Sequence, residues 1–233
     1  MLSSMTDPGS DQQFDSVFHR PERRRSQPSL SRELIVEATI ALLDRDGARA
    51  LTMRKVATEL GVHATSLYWY VKRREDLVDL AVDEILAEAA AELPAPDAPP
   101  ETAIKETARR YYAALTAHTW AAEFAGSRPL IGPNAVTLGR RIVDAIHGLG
   151  GDEEQQAVAI RAVSNQIIGA ATSTVAMRNT KTHASREHER AVATAVSEPD
   201  ARAMKHTYFD QVLDLVVEGI GARHATQEER PRG

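Results

Sequence analysis

The side chains best suited to act on a partner lie together in residues 61–74. Gly61-Val62-His63 is followed by Ala64-Thr65-Ser66-Leu67-Tyr68-Trp69-Tyr70 and then by Val71-Lys72-Arg73-Arg74. A glycine opens a tight turn, and small or hydroxyl-bearing Ala64, Thr65 and Ser66 let a helix tip approach base edges closely. Tyrosine hydroxyls and flanking basic residues donate to phosphate oxygens, which fix register while base contacts specify. The pattern is that of the second helix of a helix-turn-helix, free to enter a major groove. Leu67 and Val71, spaced i and i+4, belong to the core, whereas Tyr68 and Tyr70 leave on other faces. Trp69 fits either an anchor in the core or a surface contact.

Other chemistries find less support. The chain has no Cys, which excludes a disulfide framework, a thiol nucleophile and any Cys-based metal centre. Its eight His are scattered, and His183 and His188 are five apart rather than at a metal-ligating i,i+4 spacing. Asp152-Glu153-Glu154 is acid at a helix N-terminus, where it offsets the macrodipole. Gly148-Leu149-Gly150-Gly151 has neither a preceding strand nor a following Lys-Ser/Thr, so it is a turn and not a phosphate loop. No enzyme activity, cofactor or metal is expected.

The elements that must position residues 61–74 are helical. Only 5% of the residues are aromatic, and alternating β-branched runs are scarce while Ala, Leu, Glu and Arg are plentiful, so the fold class is all-α. Leu34, Ile35, Ala38, Leu42 and Leu43 share one face of a first helix at about 32–46, capped by Ser31 and ended by Gly47. Thr52 caps a second at 53–60, with Met53, Val56, Ala57 and Leu60 inward and Gly61 at its end. The third runs over 64–70, and a fourth over 75–92 carries Leu77, Leu80, Ala81, Ile85 and Leu86 inward. Four Pro among residues 92–101 end it and mark a domain boundary. Beyond lies a second helical domain, with helices at about 101–119, 133–148, 153–178, 185–196 and 200–222 and with Gly126, Gly132-Pro133, Gly148 to Gly151 and Pro199 between them. In the last helix Tyr208, Val212, Leu215, Val216, Gly219 and Ile220 form one stripe; in the helix over 153–178 Val158, Ala162, Asn165, Ile168, Gly169 and Thr172 do so.

Charge is unevenly divided. The chain of 233 residues carries −5 overall, yet residues 20–74 hold 12 Lys and Arg against 6 Asp and Glu, a local +6 that leaves −11 elsewhere. One part is thus fitted to a polyanion, although a solvated charged face has the same arithmetic. Residues 1–29 are polar with three Pro and read as a disordered arm, whose Arg23, Arg24 and Arg25 either reach DNA or form a free basic tail. No apolar run approaches the ~20 residues needed to span a bilayer, and the expectation is a cytoplasmic protein without a membrane partner.

Residues 51–86, LTMRKVATELGVHATSLYWYVKRREDLVDLAVDEIL, with IVEATIALLDRDGARA before them, closely resemble the DNA-binding domain of the TetR family of bacterial transcriptional regulators. LYWYVK is most similar to the tetracycline repressor branch, and GSRP at 126–129 is similar to a loop of its regulatory domain. The resemblance implies an N-terminal three-helix helix-turn-helix domain at 30–92 including a linking helix. It further implies a linker at 93–101, a C-terminal ligand-binding and dimerisation domain at 102–224 and a tail at 225–233.

The implied function is that of a ligand-responsive regulator, in the repressor sense. It binds a palindromic double-stranded operator as a homodimer through a four-helix bundle at 153–178 and 200–222, and a small-molecule effector releases it. The residues implied to lie at DNA are Met53, Arg54, Ala64, Thr65, Ser66, Tyr68, Trp69, Tyr70, Lys72 and Arg74. Arg54 is the base reader, since a guanidinium holds guanine O6 and N7 with two bonds. Where that branch opens its recognition helix with Gln and Pro, this chain has Ala64 and Thr65, so its operator differs. Where the branch has a metal-coordinating His before the loop, this chain has Phe124, which points to a more apolar effector. The pocket walls are expected at Leu115, His118, Trp120, Phe124, Asn165, Gln166, Ile168 and Thr172, residues that equally suit an ordinary core. The alternative is a helical small-molecule-binding protein without operator binding.

Overall fold

A computed structural model describes the backbone of residues 30–183 and 204–228 and the side chains of residues 30–178 and 208–223. The arm at 1–29, the helix expected at 185–196, the start of the last helix, His188 and residues 229–233 lie outside the described residues. Within them the chain is all-helical, without a strand. The order is α1 Arg32–Asp46, a 3-10 turn Ala48–Ala50, α2 Met53–Glu59, α3 Ala64–Leu67, α4 Arg74–Glu84, α5 Ala87–Ala91, α6 Pro100–Ala117, α7 Ala121–Ser127, α8 Pro133–Gly148, α9 Glu153–His183 and α10 Met204–Glu228.

Local chemistry sets most boundaries. Ser31 Oγ accepts from Leu34 N, and Gly47, at φ 76°, closes α1 by donating to Leu43 O. Asp152 and Gln155 cap α9 reciprocally, each backbone N–H donating to the other's side chain at 3.1 and 2.9 Å. Several boundaries differ from the expectation: α9 runs past 178 to His183, and α10 continues to Glu228, into the stretch expected as a tail. The third helix is regular only to Leu67 and continues as turns through Tyr70. The fourth breaks at Ile85 and Leu86 and resumes as α5. A short α7, Ala121–Ser127, takes in the first half of the GSRP segment, Gly126 being helical rather than a break.

The first domain packs α1 against α4 and α2 against α3 around Ile35, Leu42, Leu43, Leu51, Val56, Leu67, Val71 and Leu77. Leu34, expected inside, is 41% exposed, since Ile35, Val36 and Thr39 take the inward face. In the second domain α6 is central, against α8 and α9, and α10 lies on α9 and α6. Of the stripe expected on α10 only Ile220 is buried, while Tyr208, Val212 and Leu215 face outward; the inward row is Phe209, Leu213, Val217 and Ile220.

α4 belongs to both cores. Its residues Leu77, Val78, Leu80, Ala81 and Val82 are all buried, against α1 on one side and α7 and α8 on the other. The joint with α8 is unusual in its polarity. α8 starts with Pro133 and has no cap of its own, so the N–H groups of Asn134 and Ala135 donate instead to the Asp83 carboxylate, at 3.3 and 3.0 Å. Asn134 Nδ2 donates to the same carboxylate at 3.1 Å. Burial pushes the Asp83 carboxyl above its usual range, and these donors pull it back. Gly132 makes room for this contact: a Cβ there would stand 2.2 Å from the Asp83 carboxyl carbon. Gly132→Ala should therefore destabilise the fold by about 1–3 kcal/mol through overpacking, seen as a lowered midpoint in thermal unfolding.

Candidate nucleic-acid interface

The reading end is built by α2, the turn and α3. Thr52 Oγ1 accepts from Lys55 N at 3.1 Å and fixes the start of α2. Gly61 takes a φ of 65°, a conformation that costs a glycine little, so Val62 N can donate back to Ala57 O and the chain reverses into α3. Leu67 and Val71 are fully buried and hold α3 to the domain. The tip is thereby aimed outward without side-chain bonds of its own.

Arg54 is exposed, and its guanidinium makes no ion pair among the described residues. Met53, Ala64 and Ser66 are half-buried and Thr65 is exposed. Tyr68 is 54% and Trp69 45% exposed, so Trp69 stands at the surface and not in the core. Lys72 is exposed, with its backbone N–H held by Asp76 Oδ2 at 2.8 Å. His63, exposed at the N-terminus of α3, joins this surface although its type gave it no groove-reading role by itself.

Two residues are engaged within the domain. Tyr70 is half-buried, and its hydroxyl donates to Leu30 O at 2.6 Å. Arg74 donates from Nε to Leu51 O at 3.0 Å and from Nη2 to Ala48 O at 2.7 Å, clasping the 3-10 turn that leads into α2. Both therefore shape the reading end from behind. Neither engagement is visible in sequence, because the partners stand 40, 23 and 26 residues away.

The eight residues expected to wall an effector pocket stand in differing surroundings. Leu115 is fully buried in the core, and Asn165 is exposed on α9. Gln166 and Ile168 are half-buried on the same helix, and Thr172 Oγ1 is bonded to Ile168 O and Ala122 O. Trp120 is buried and His118 half-buried, and both turn toward α1. Of the eight, Phe124 lines a cleft between α4, α7 and α8, with Val78, Val82, Leu130, Ile131 and Ala135.

That cleft carries one strong polar pair. Arg128 of the GSRP segment donates from Nε and Nη2 to the two oxygens of Asp79 on α4, at 2.9 and 2.8 Å. The paired carboxylate raises the Arg128 pKa further. Asp44, Asp79 and Asp83 thus set three carboxylates of the first domain against donors at three places in the stretch 118–135. Among the described residues no cluster of three or more His, Asp or Glu could hold a metal, and no helix is long and apolar enough to cross a membrane.

Comparison with known proteins accounts for both halves. Residues 35–81 match the bacterial regulatory proteins of the tetR family, and residues 93–224 match the tetracyclin repressor-like C-terminal domain. An HTH-type transcriptional regulator of Saccharopolyspora erythraea is 36% identical over 221 residues, 89% of this chain and 92% of that protein. The class D tetracycline repressor of Escherichia coli is 43% identical over 58 residues, 25% of this chain and 27% of the repressor. Among solved structures, Streptomyces coelicolor ActR in complex with (S)-DNPA is similar with a TM-score of 0.66 at 25% identity, covering 84% of this chain and 98% of ActR. With a helix-turn-helix end, a second helical domain and both family matches in place, the chain belongs to the TetR family of bacterial transcriptional regulators.

Proposed function

We propose that this chain is a ligand-responsive repressor, which acts in the cytoplasm as a homodimer on a palindromic operator and lets go when a small molecule occupies its second domain. The observation that carries the reading is the outward-facing tip of α2 and α3, whose Arg54, Thr65 and Tyr68 make no described side-chain bonds that would withhold them from DNA. Arg54 is the base reader, with Met53, Ala64, Thr65 and Ser66 close to base edges. Tyr68, Trp69 and Lys72 serve the phosphates, while Tyr70 and Arg74 hold the surface in shape.

A two-fold axis is needed to bring two such tips one DNA turn apart, roughly 34–36 Å. The outward stripe of α10 supports the dimer: Leu215 is 69% exposed, in line with Tyr208, Val212 and the small Gly219. An apolar stripe of this kind calls for a partner surface, and α9 also exposes Val158 and Met177. The cleft beside Phe124 is the effector site this reading favours. It lies directly on α4, where Phe124, Val78, Val82, Leu130 and Ile131 stand beside the Arg128–Asp79 pair, and it has room for little more than a water, so an effector must widen it by moving α4, α7 or α8. ActR, of like fold, has been solved in complex with the small molecule (S)-DNPA.

Mobility shifts on the DNA upstream of the chain's own gene, at two salt concentrations, test operator binding. Specific binding that weakens steeply with salt is expected, and retention of ligand without any specific shift would favour the small-molecule-binding alternative. Arg54→Ala should lose about 1–3 kcal/mol on the operator and little on unrelated DNA, with an unchanged melting midpoint. Val212→Arg combined with Leu215→Glu should convert the dimer to a monomer, read by sedimentation, and should weaken operator binding with it.

A further inference from the structure

The first domain is tied to the second at a place away from α4. Asp44, in the last turn of α1, is reached from the loop between α6 and α7. Its two oxygens stand 2.8 and 3.0 Å from His118 Nδ1, and Trp120 Nε1 donates to Oδ1 at 2.7 Å. The His pair is partly open to solvent, and such pairs contribute little. The indole is different. Trp120 is 3% exposed, its N–H can only donate, and a buried donor left without an acceptor is costly. Asp44 is the acceptor that α1 supplies.

Two connections lead outward from this point. Trp120 lies against Phe124, with ring centroids 6.4 Å apart, and Phe124 lines the cleft on α4. In the other direction α1 ends at Asp46 and passes into the Ala48–Ala50 turn, which Arg74 clasps just before Thr52 caps α2. The packing of α4 and its Asp79 and Asp83 contacts hold the head close to the helix axis, where a restraint has least leverage against rotation about it. A tie at Asp44, off the α4 axis, adds that leverage.

We infer that Asp44 is a positioning residue for operator binding: accepting the Trp120 indole, with His118 beside it, it fixes the rotation of the reading head on the regulatory domain. The inference rests on the dimeric, operator-binding reading above, and its test includes a measurement that needs neither DNA nor dimer. Because the chain has no Cys, a pair of nitroxide labels can be introduced cleanly at exposed Arg49 and Arg140, one on each domain. Spin-diluted full-length protein then reports the head-to-body distance.

Asp44→Asn, Asp44→Ala and Trp120→Phe are compared with Asp46→Asn, a neighbouring charge removal that leaves the clasp alone. The wild type and Asp46→Asn should give one narrow distance. Asp44→Ala and Trp120→Phe should broaden it, bind the operator about tenfold more weakly and lose the preference for native half-site spacing over spacing changed by one base pair. Asp44→Asn, which keeps an acceptor oxygen, should fall between. A wild-type distance distribution in Asp44→Ala and Trp120→Phe overturns the inference, even if affinity falls. Should the wild type bind no operator at all, the operator reading fails, and the distance distributions still decide whether the clasp exists.

Discussion

Everything in this molecule depends on the burial of α4 from two sides. A helix with one apolar stripe can leave its neighbour at modest cost, but Leu77, Val78, Leu80, Ala81 and Val82 commit nearly the whole circumference of α4 to two cores at once. The helix cannot shift in one domain without disturbing packing in the other. Close-packed interiors transmit such displacement and do not absorb it. The reading end and the cleft are therefore mechanically continuous although the domains are distinct in sequence.

Polar contacts refine that connection. Asp79 and Asp83 on α4, and Asp44 on α1, are met by an arginine, by a helix N-terminus and by an indole with a histidine. Each contact is directional, so it specifies an angle as apolar packing does not. Each is also an exchange that water or a ligand group can replace, which apolar packing does not offer either. The seam between the domains is thus made of contacts that define a geometry and can be released.

The architecture was legible in sequence wherever local chemistry decides structure. Pro133 and Gly148 bound α8, Ser31 and Gly47 bound α1, and Gly61 placed the reversal between α2 and α3, all from residue type and position. On α10 the expected stripe held outward Tyr208, Val212, Leu215 and Gly219 together with half-buried Val216 and buried Ile220, because periodicity groups neighbouring rows of an apolar helix without separating them. Nor does periodicity report where the edge of a face lies, so Leu34 was expected inside with Ile35, whereas Val36 and Thr39 are the residues buried beside it. The partners of two expected pocket walls were not legible: Trp120 and His118 bond to Asp44, 76 and 74 residues earlier, and no local pattern marks a partner at that separation. Arg74 was grouped with Lys72 as a phosphate contact for the same reason, its carbonyl partners being remote in the chain.

The division of labour at the reading end has an evolutionary consequence. Leu67, Val71, Tyr70 and Arg74 hold the shape of the surface from behind, whereas the side chains of Arg54 and Thr65 at the front make no bond on which the domain relies. Substitutions at the front are nearly neutral for folding. Mutation can therefore explore new operators on a scaffold whose stability is left intact, and a duplicated copy of such a gene can acquire a new target in few steps.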